Sequence, residues 1–165
     1  MEINIKKSGF TGPALWPLTI YGHPIPRTMS YKYLGLPIIK DGIDWLSFVT
    51  DCTTKSNNIL KYMQVKGNNW PPITKLALFK SNIRSLWEYA APLMAIALTE
   101  IELDLLEQVQ QDSLAWVVGT SKFKGTSLKR LIRSLTGIES INDRLETLLI
   151  KFGVHITKCT QSNRF

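Results

Sequence analysis

Cysteine and histidine are scarce in this chain of 165 residues, which argues against disulfide bonds and zinc sites. Cys52 and Cys159 lie far apart without a partner motif, so we expect reduced thiols and no disulfide framework. His23 and His155 are equally isolated, and no Cys/His cluster has the ligand spacing of a zinc site. We therefore expect this chain to hold no metal and no other cofactor.

A membrane-spanning segment is also missing from the sequence. The longest chargeless segment of helical character, "YAAPLMAIALT", has 11 residues, whereas a bilayer span needs roughly 20. An acidic residue follows the initial methionine, and Pro13 and Pro17 interrupt the first apolar stretch, which does not fit a secretory signal. These features predict a soluble intracellular protein, nuclear or cytoplasmic, that is not secreted and has no membrane partner.

Familiar catalytic patterns are missing as well. No adjacent pair of aspartates occurs in the chain, and "GTSKFKGTS" lacks both the glycine spacing and the Lys-Ser/Thr ending of a phosphate loop. One acidic cluster occupies the first two turns of a predicted helix, where compensation of the helix dipole on a solvated face explains it without chemistry. We expect no catalytic residue in this chain. The members of the cluster are Glu100, Glu102, Asp104 and Glu107.

The residues that are abundant indicate one basic globular domain or the end of a larger one. Apolar residues make up 44% of the chain and aromatic residues 10%, which is enough to build a sizeable core. Lysine and arginine number 20 against 13 acidic residues, for a net charge of +7. This charge favours an anionic partner, first of all a nucleic acid.

The periodicity of the chain predicts a mainly α fold with a small β-hairpin, an α+β arrangement. Residues 1–17 form an irregular lead-in, and residues 18–40 a hairpin whose strands "LTIYG" and "YKYLGLPI" flank the long loop "HPIPRTM". Residues 44–158 carry helical periodicity and form a bundle of about five helices, and residues 159–165 are a tail.

Capping signals delimit these five helices. Asp44 caps the first, which ends near residue 65, and the second runs from Ile73 to a break near Ala91, because Pro92 follows. The other three helices span residues 100–119, 126–137 and 140–156. Their predicted caps and stops are Thr99, Gly119, Gly137 and the Ser140–Asp143 capping box.

Apolar spacing predicts which residues of three helices are packed. On the first helix the predicted face is Trp45, Phe48, Val49, Cys52, Ile59, Leu60 and Met63. On the second it is Ile73, Leu76, Ala77, Ile83, Leu86 and Ala90. On the helix from residue 126 it is Leu128, Leu131, Ile132 and Leu135.

Basic residues cluster in a loop and at the start of the helix that follows it. Five of them fall within twelve positions beside Phe123, an arrangement suited to phosphate contacts that position a nucleic acid without reading its sequence. The alternative is an ordinary solvated face. The five residues are Lys122, Lys124, Lys129, Arg130 and Arg133.

Four segments in this order resemble the C-terminal part of reverse transcriptases of non-LTR (LINE-type) retrotransposons. They are "LTIYGHPIPRTMSYKYLGLPI", "LFKSNIRSLWEYAAPLMAI", "LEQVQQDSLAWVVG" and "TSLKRLIRSLTGIESINDRLETLLIKF". The resemblance covers roughly residues 18–158. Within the second segment, the family's Leu-Glu-Tyr-Ala/Gly-Ala/Pro run corresponds to "LWEYAAP".

The resemblance implies that the hairpin is the primer grip of a polymerase and that the helices form its thumb. Tyr33, Leu34 and Gly35 would then be the grip strand that holds the primer end, and Gly35 would allow close approach of a nucleic-acid backbone. The alternative is that Tyr31, Tyr33 and Leu34 pack the hairpin on the helices.

The resemblance also implies what this chain lacks. The fingers and most of the palm are missing, with the Asp-Asp strand that binds the catalytic Mg²⁺ of the parent RNA-directed DNA polymerase. We therefore expect a catalytically incompetent fragment, a split product or a truncated relic. Its partners would be an RNA/DNA template–primer duplex and the missing finger–palm part. Two alternatives stay open: a basic helical protein–protein interaction module, and a retroelement relic with no selected function.

Overall fold

The computed structural model describes residues 8–11, 17–120 and 126–162. The chain divides into two compact units, Met1–Phe48 and Val49–Phe165. Within the described residues, the first unit contains five short β-strands, and seven α-helices follow them along the chain. The predicted fold class, mainly α with a small antiparallel β part, is confirmed.

The β-strands of the first unit form two small antiparallel sheets. In one sheet β1 pairs with β2, and in the other β3 pairs with β4 and β4 with β5. A parallel bridge between Phe10 and Arg27 adds the start of the described chain to this unit. The strands are β1 Thr19–Ile20, β2 His23–Pro24, β3 Ser30–Tyr33, β4 Leu36–Ile39 and β5 Gly42–Ile43.

The predicted hairpin with a long loop is wrong, because the strands pair locally. The sheet register opposes Ile20 to His23 and Tyr33 to Leu36, so each hairpin closes through a two-residue turn. The turns are 21–22 and 34–35, and all four of their residues have positive φ, as type I′ hairpin turns require. Tyrosine and leucine rarely adopt that conformation, so the sequence reads as a continuous strand there.

The helices match the five predicted segments and add one more. Pro92 lies in the first turn of an additional short helix, where its missing N–H is not needed. The predicted break before this proline is confirmed by the non-helical Ala90. The helices are α1 Trp45–Lys66, α2 Pro72–Leu78, a π-helical turn Phe79–Arg84, α3 Ser85–Glu88, α4 Ala91–Ala97, α5 Glu100–Val118, α6 Thr126–Thr136 and α7 Ile141–Ser162.

Most predicted helix ends are confirmed by their hydrogen bonds and backbone angles, but α7 continues to Ser162, beyond its predicted end at residue 156 and into the predicted tail. Asp44 accepts the Ser47 N–H at 3.0 Å, and the Glu102 carboxylate accepts the Thr99 N–H at 2.8 Å. At the start of α7, Ser140 accepts the N–H of Asp143 and donates its hydroxyl to the carboxylate of the same residue. The glycines that end α5 and α6 are both left-handed, with φ of 75° and 63°.

The buried face of the second helical segment differs from the prediction. Ile83 and Ala90 are buried as predicted, but Ile73 and Ala77 are exposed. The residues buried at intervals of four are Lys75, Phe79, Ile83 and Trp87. Four residues in a straight α-helix advance about 40° beyond a full turn, so this face would drift around the helix. The wider π-helical turn offsets that drift, and it keeps the four side chains on one side.

The predicted core of α1 is largely confirmed. Five of its seven predicted residues are buried, while Trp45 and Ile59 are half-buried. Ser56 is also fully buried, although the apolar pattern does not identify it. The Cys52 thiol donates to the carbonyl oxygen of Leu86 at 3.5 Å, which joins α1 to α3.

The predicted packed face of α6 is wrong at two positions. Leu131 and Leu135 are 53% and 69% exposed, while Ile132 is 4% exposed, as predicted. The physical reason is the way α6 packs on α5. An ion pair between Arg133 and Glu107 joins these helices, so the residue after Ile132 also faces α5 and the leucines face away.

Candidate nucleic-acid interface

The tip of the β3–β4 hairpin holds the three residues that the resemblance assigns to a primer grip. Tyr33 ends β3, whereas Leu34 and Gly35 form the turn and are not part of a strand. The side chains of Tyr33 and Leu34 are 57% and 76% exposed, and Tyr31, nearer the base of the hairpin, is half-buried. The structure therefore places two large apolar side chains in solvent at a turn.

Leu34 is held in a conformation that leucine adopts at a cost. Its φ is 48°, in the left-handed region where the Cβ of an L-residue crowds the following carbonyl, at a cost of about 1–2 kcal/mol. Gly35, with φ of 88°, has no such penalty. Asparagine or glycine fits the Leu34 position better, so local stability does not explain the leucine.

Replacing Leu34 by Asn is expected to stabilise the protein, because asparagine tolerates the left-handed conformation and no buried contact is lost. The free energy of unfolding should rise by about 1 kcal/mol in denaturant titrations. Gly35→Ala is the opposing control and should destabilise, since its φ is positive. A lower stability of Leu34→Asn would show that the leucine supports the fold.

The basic residues predicted to contact phosphates fall into three groups. Lys122 and Lys124 lie outside the described residues. Lys129, half-buried, and Arg130, exposed, lie on α6 and form no ion pair with any residue that the structure describes. Arg133 is instead paired with Glu107 of α5. Lys129 and Arg130 are therefore the described members of the cluster whose charge is not offset by an acidic neighbour.

Glu107 joins three helices at the point where Arg133 meets α5. Besides that guanidinium, its carboxylate accepts the backbone N–H of Ile141 at 2.9 Å and the amide of Gln111 at 3.1 Å. The carboxylate therefore lies at the positive end of α7, where a negative charge is stabilised. The prediction that the acidic cluster lies on a solvated face is wrong for Glu107 and for Glu102, which is 7% exposed.

A second ion-pair network lies around Glu88 of the "LWEYAAP" run. Its carboxylate accepts from Arg84 Nε at 2.5 Å and from Arg144 Nε at 2.7 Å, and Glu139 lies 3.7 and 3.3 Å from the same two guanidinium groups. Burial alone would raise the pKa of Glu88, but the two arginines outweigh it and lower that pKa. The hydrogen bond to Glu88 raises the pKa of Arg144.

A cleft that the sequence does not reveal lies between α1 and α5. It has a volume of about 550 Å³, and its lining is mixed: amide side chains, Lys61 and Asp112 lie beside Leu60, Ala115 and Trp116. Within the described structure, the buried indole N–H of Trp116 has no hydrogen-bond partner. Lys75 lies 5.4 Å from the centre of the Trp116 ring and donates to the carbonyl oxygen of Asn68 at 2.9 Å. A lysine in an otherwise apolar helical stripe is the sequence signal for this arrangement.

The described residues contain neither a metal-binding group of three side chains nor a helix suited to cross a membrane. Among the residues with described positions, no three His, Cys, Asp or Glu side chains lie together as a metal-binding group. None of the described helices is both long enough and apolar enough to cross a membrane. No family model, curated protein or solved structure matches the chain.

Proposed function

We propose that the chain is the primer-grip and thumb region of a non-LTR retrotransposon reverse transcriptase and that it binds a template–primer duplex of RNA and DNA. The catalytic Mg²⁺ and its aspartates would belong to a finger–palm part of the parent enzyme. The chain itself would bind the duplex without polymerising.

The hairpin tip is the observation that carries this proposal. Leu34 is exposed and left-handed, and Tyr33 is exposed beside it, so the turn presents apolar surface at a cost to stability. Strain of this kind persists where a function uses it. An apolar tip fits contact with the sugars and base edges of a primer end, which is the role that the resemblance gives to this hairpin.

The helical unit supports the proposal through the residues that carry the resemblance. In "LWEYAAP", Trp87 is buried, Glu88 binds two arginines, and Pro92 lies in the first turn of α4. These residues would maintain the fold of a thumb-like unit. Exposed basic side chains would make the contacts with the duplex. Lys129 and Arg130 provide that charge on α6, within a chain of net charge +7.

The double substitution Lys129→Gln and Arg130→Gln is expected to weaken duplex binding by removing two phosphate contacts. The slope of log K against log salt concentration should become shallower by about two. The matched control is Lys151→Gln with Lys158→Gln, which removes the same charge from exposed positions of α7 and should leave the slope unchanged. Equal slopes in all three proteins would contradict the α6 contact.

The Leu34→Asn variant distinguishes the contribution of Leu34 to duplex binding from its contribution to stability. Burial of a leucine side chain is worth about 1.5–3 kcal/mol. If Leu34 is partly buried against the duplex, its loss should reduce the affinity for an RNA–DNA hybrid about tenfold. Affinity would then fall while stability rises, and misfolding cannot produce that combination. Unchanged affinity would show that the hairpin tip does not contact the duplex.

A basic protein–protein interaction module is the second candidate, and the exposed leucines of α6 favour it. Leu131 and Leu135 lie one turn apart and are both solvent-exposed. This candidate predicts that Leu131→Ser with Leu135→Ser abolishes partner binding, and that Lys129→Gln with Arg130→Gln leaves the salt slope of duplex binding unchanged.

A further inference from the structure

The last turns of α7 carry a cysteine and a histidine in contact with each other. Cys159 Sγ lies 3.6 Å from His155 Nε2, one helical turn away, and both side chains are exposed. In a tetrahedral zinc site, Zn–S is about 2.3 Å and Zn–N about 2.0–2.1 Å, which places the sulfur and nitrogen about 3.5 Å apart. The pair therefore already has the separation of two ligands on one zinc ion.

Two ligands are only half of a tetrahedral zinc site. No third His, Cys, Asp or Glu joins this pair among the described residues. A two-fold axis beside the pair would supply a second cysteine and a second histidine from another copy, because a two-fold interface places the same residues of both copies together. The resulting Cys₂His₂ set is a complete structural zinc site.

The same face of α7 carries apolar residues that a second copy would cover. Phe152 and Ile156 are 48% and 47% exposed and, with His155 and Cys159, they follow the i, i+3, i+4, i+7 spacing of one helical face. The face continues a stripe that is buried at Leu145 and reaches solvent from residue 151 onward. Its 4-3-4-3 spacing, through residues 145, 149, 152, 156 and 159, is that of a helix-pairing seam.

We infer that His155 and Cys159 of two copies of this chain bind one Zn²⁺ ion, which joins their α7 helices along Phe152 and Ile156. Binding deprotonates both thiols, so two protons pass to solvent and the two thiolates balance the charge of the ion. Stable interfaces bury roughly 1,200 Å² or more. A contact made mainly through Phe152 and Ile156 would bury much less than this area. Dimerisation therefore requires the metal.

Sedimentation equilibrium of the full chain with Zn²⁺ tests this inference, with a non-thiol reductant present so that no Cys159–Cys159 disulfide forms. We expect a monomer without zinc, a dimer with one zinc per two chains, and reversal by a chelator. Co²⁺ in place of zinc should give the visible absorption of a tetrahedral cobalt–thiolate site.

Matched variants are available because the chain has one other cysteine and one other histidine. Cys159→Ser and His155→Gln should abolish the zinc-dependent dimer, whereas Cys52→Ser and His23→Gln should retain it. Phe152→Ser with Ile156→Ser should also prevent dimerisation. A monomer at every zinc concentration, one zinc per monomeric chain, a dimer that forms without zinc, or a dimer that survives Cys159→Ser would each overturn the inference. Circular dichroism checks that every variant is folded.

Discussion

Replacing Trp87 by Ala is expected to lower the free energy of unfolding by about 3–5 kcal/mol, the usual cost of truncating a buried tryptophan. Trp87 is 1% exposed and ends the buried four-residue series that the π-helical turn aligns. A protein of this size has only about 5–15 kcal/mol of stability in total. The variant should therefore melt far below the wild type, as thermal unfolding by circular dichroism would show.

Tyr62→Ala is the control for the tryptophan, because it removes an aromatic ring that is 66% exposed on α1. Its effect should stay within about 0.5 kcal/mol. If both variants melted alike, Trp87 would not belong to the core, and the face produced by the π-helical turn would be misassigned.

Replacing Glu88 by Gln is expected to cost about 3 kcal/mol, since it leaves a buried arginine without its closest carboxylate. The side chain of Arg84 is 8% exposed, and Glu139 at 3.7 Å would be its remaining acidic neighbour. The loss should be measured by denaturant titration at neutral pH. Glu146→Gln is the control, because that carboxylate is exposed and, among the described residues, accepts a hydrogen bond from the amide of Asn142 alone.

The contribution of Glu88 to the free energy of unfolding should decrease at acidic pH. Its folded-state pKa is lower than the ordinary value of 4.5, so folding favours the charged carboxylate. The stability from Glu88 is therefore complete well above pH 4.5 and is lost as the pH falls through the lower, folded-state pKa. The difference between wild type and Glu88→Gln should shrink in that range. A constant difference down to strongly acidic pH would show that the ion pair does not set the carboxyl pKa.

Local signals in the sequence predict most helix boundaries, although α7 continues to Ser162 rather than ending at residue 156. The caps at Asp44, Thr99 and Ser140 and the stops at Gly119 and Gly137 all lie where expected, because each depends on a few neighbouring residues. Strand pairing was predicted wrongly because the turns at Tyr21 and Leu34 place large residues where Asn or Gly is the usual signal.

Features that depend on distant residues could not be predicted in this way. The partners of Glu88 and Glu107 include Arg144 and Arg133, which come from other helices, and no local pattern identifies them. This limit applies to the predicted phosphate-contact residues: the sequence does not distinguish Arg133 from Arg130, whereas in the structure Arg133 is paired with Glu107. The sequence predicts Ile83 on the buried face of this segment but not Lys75, Phe79 or Trp87, because the π-helical turn changes the helical period there.

Binding of the full chain to an RNA–DNA hybrid at several salt concentrations tests the proposed function most directly. Each phosphate contact contributes roughly −0.9 to the slope of log K against log salt on a B-form duplex. Contacts from Lys129 and Arg130 therefore predict a slope of about −2 or steeper, with equal affinity for two hybrids of unrelated sequence. A slope near zero, or no binding at the lowest salt concentration, would contradict the proposal that this chain holds a template–primer duplex.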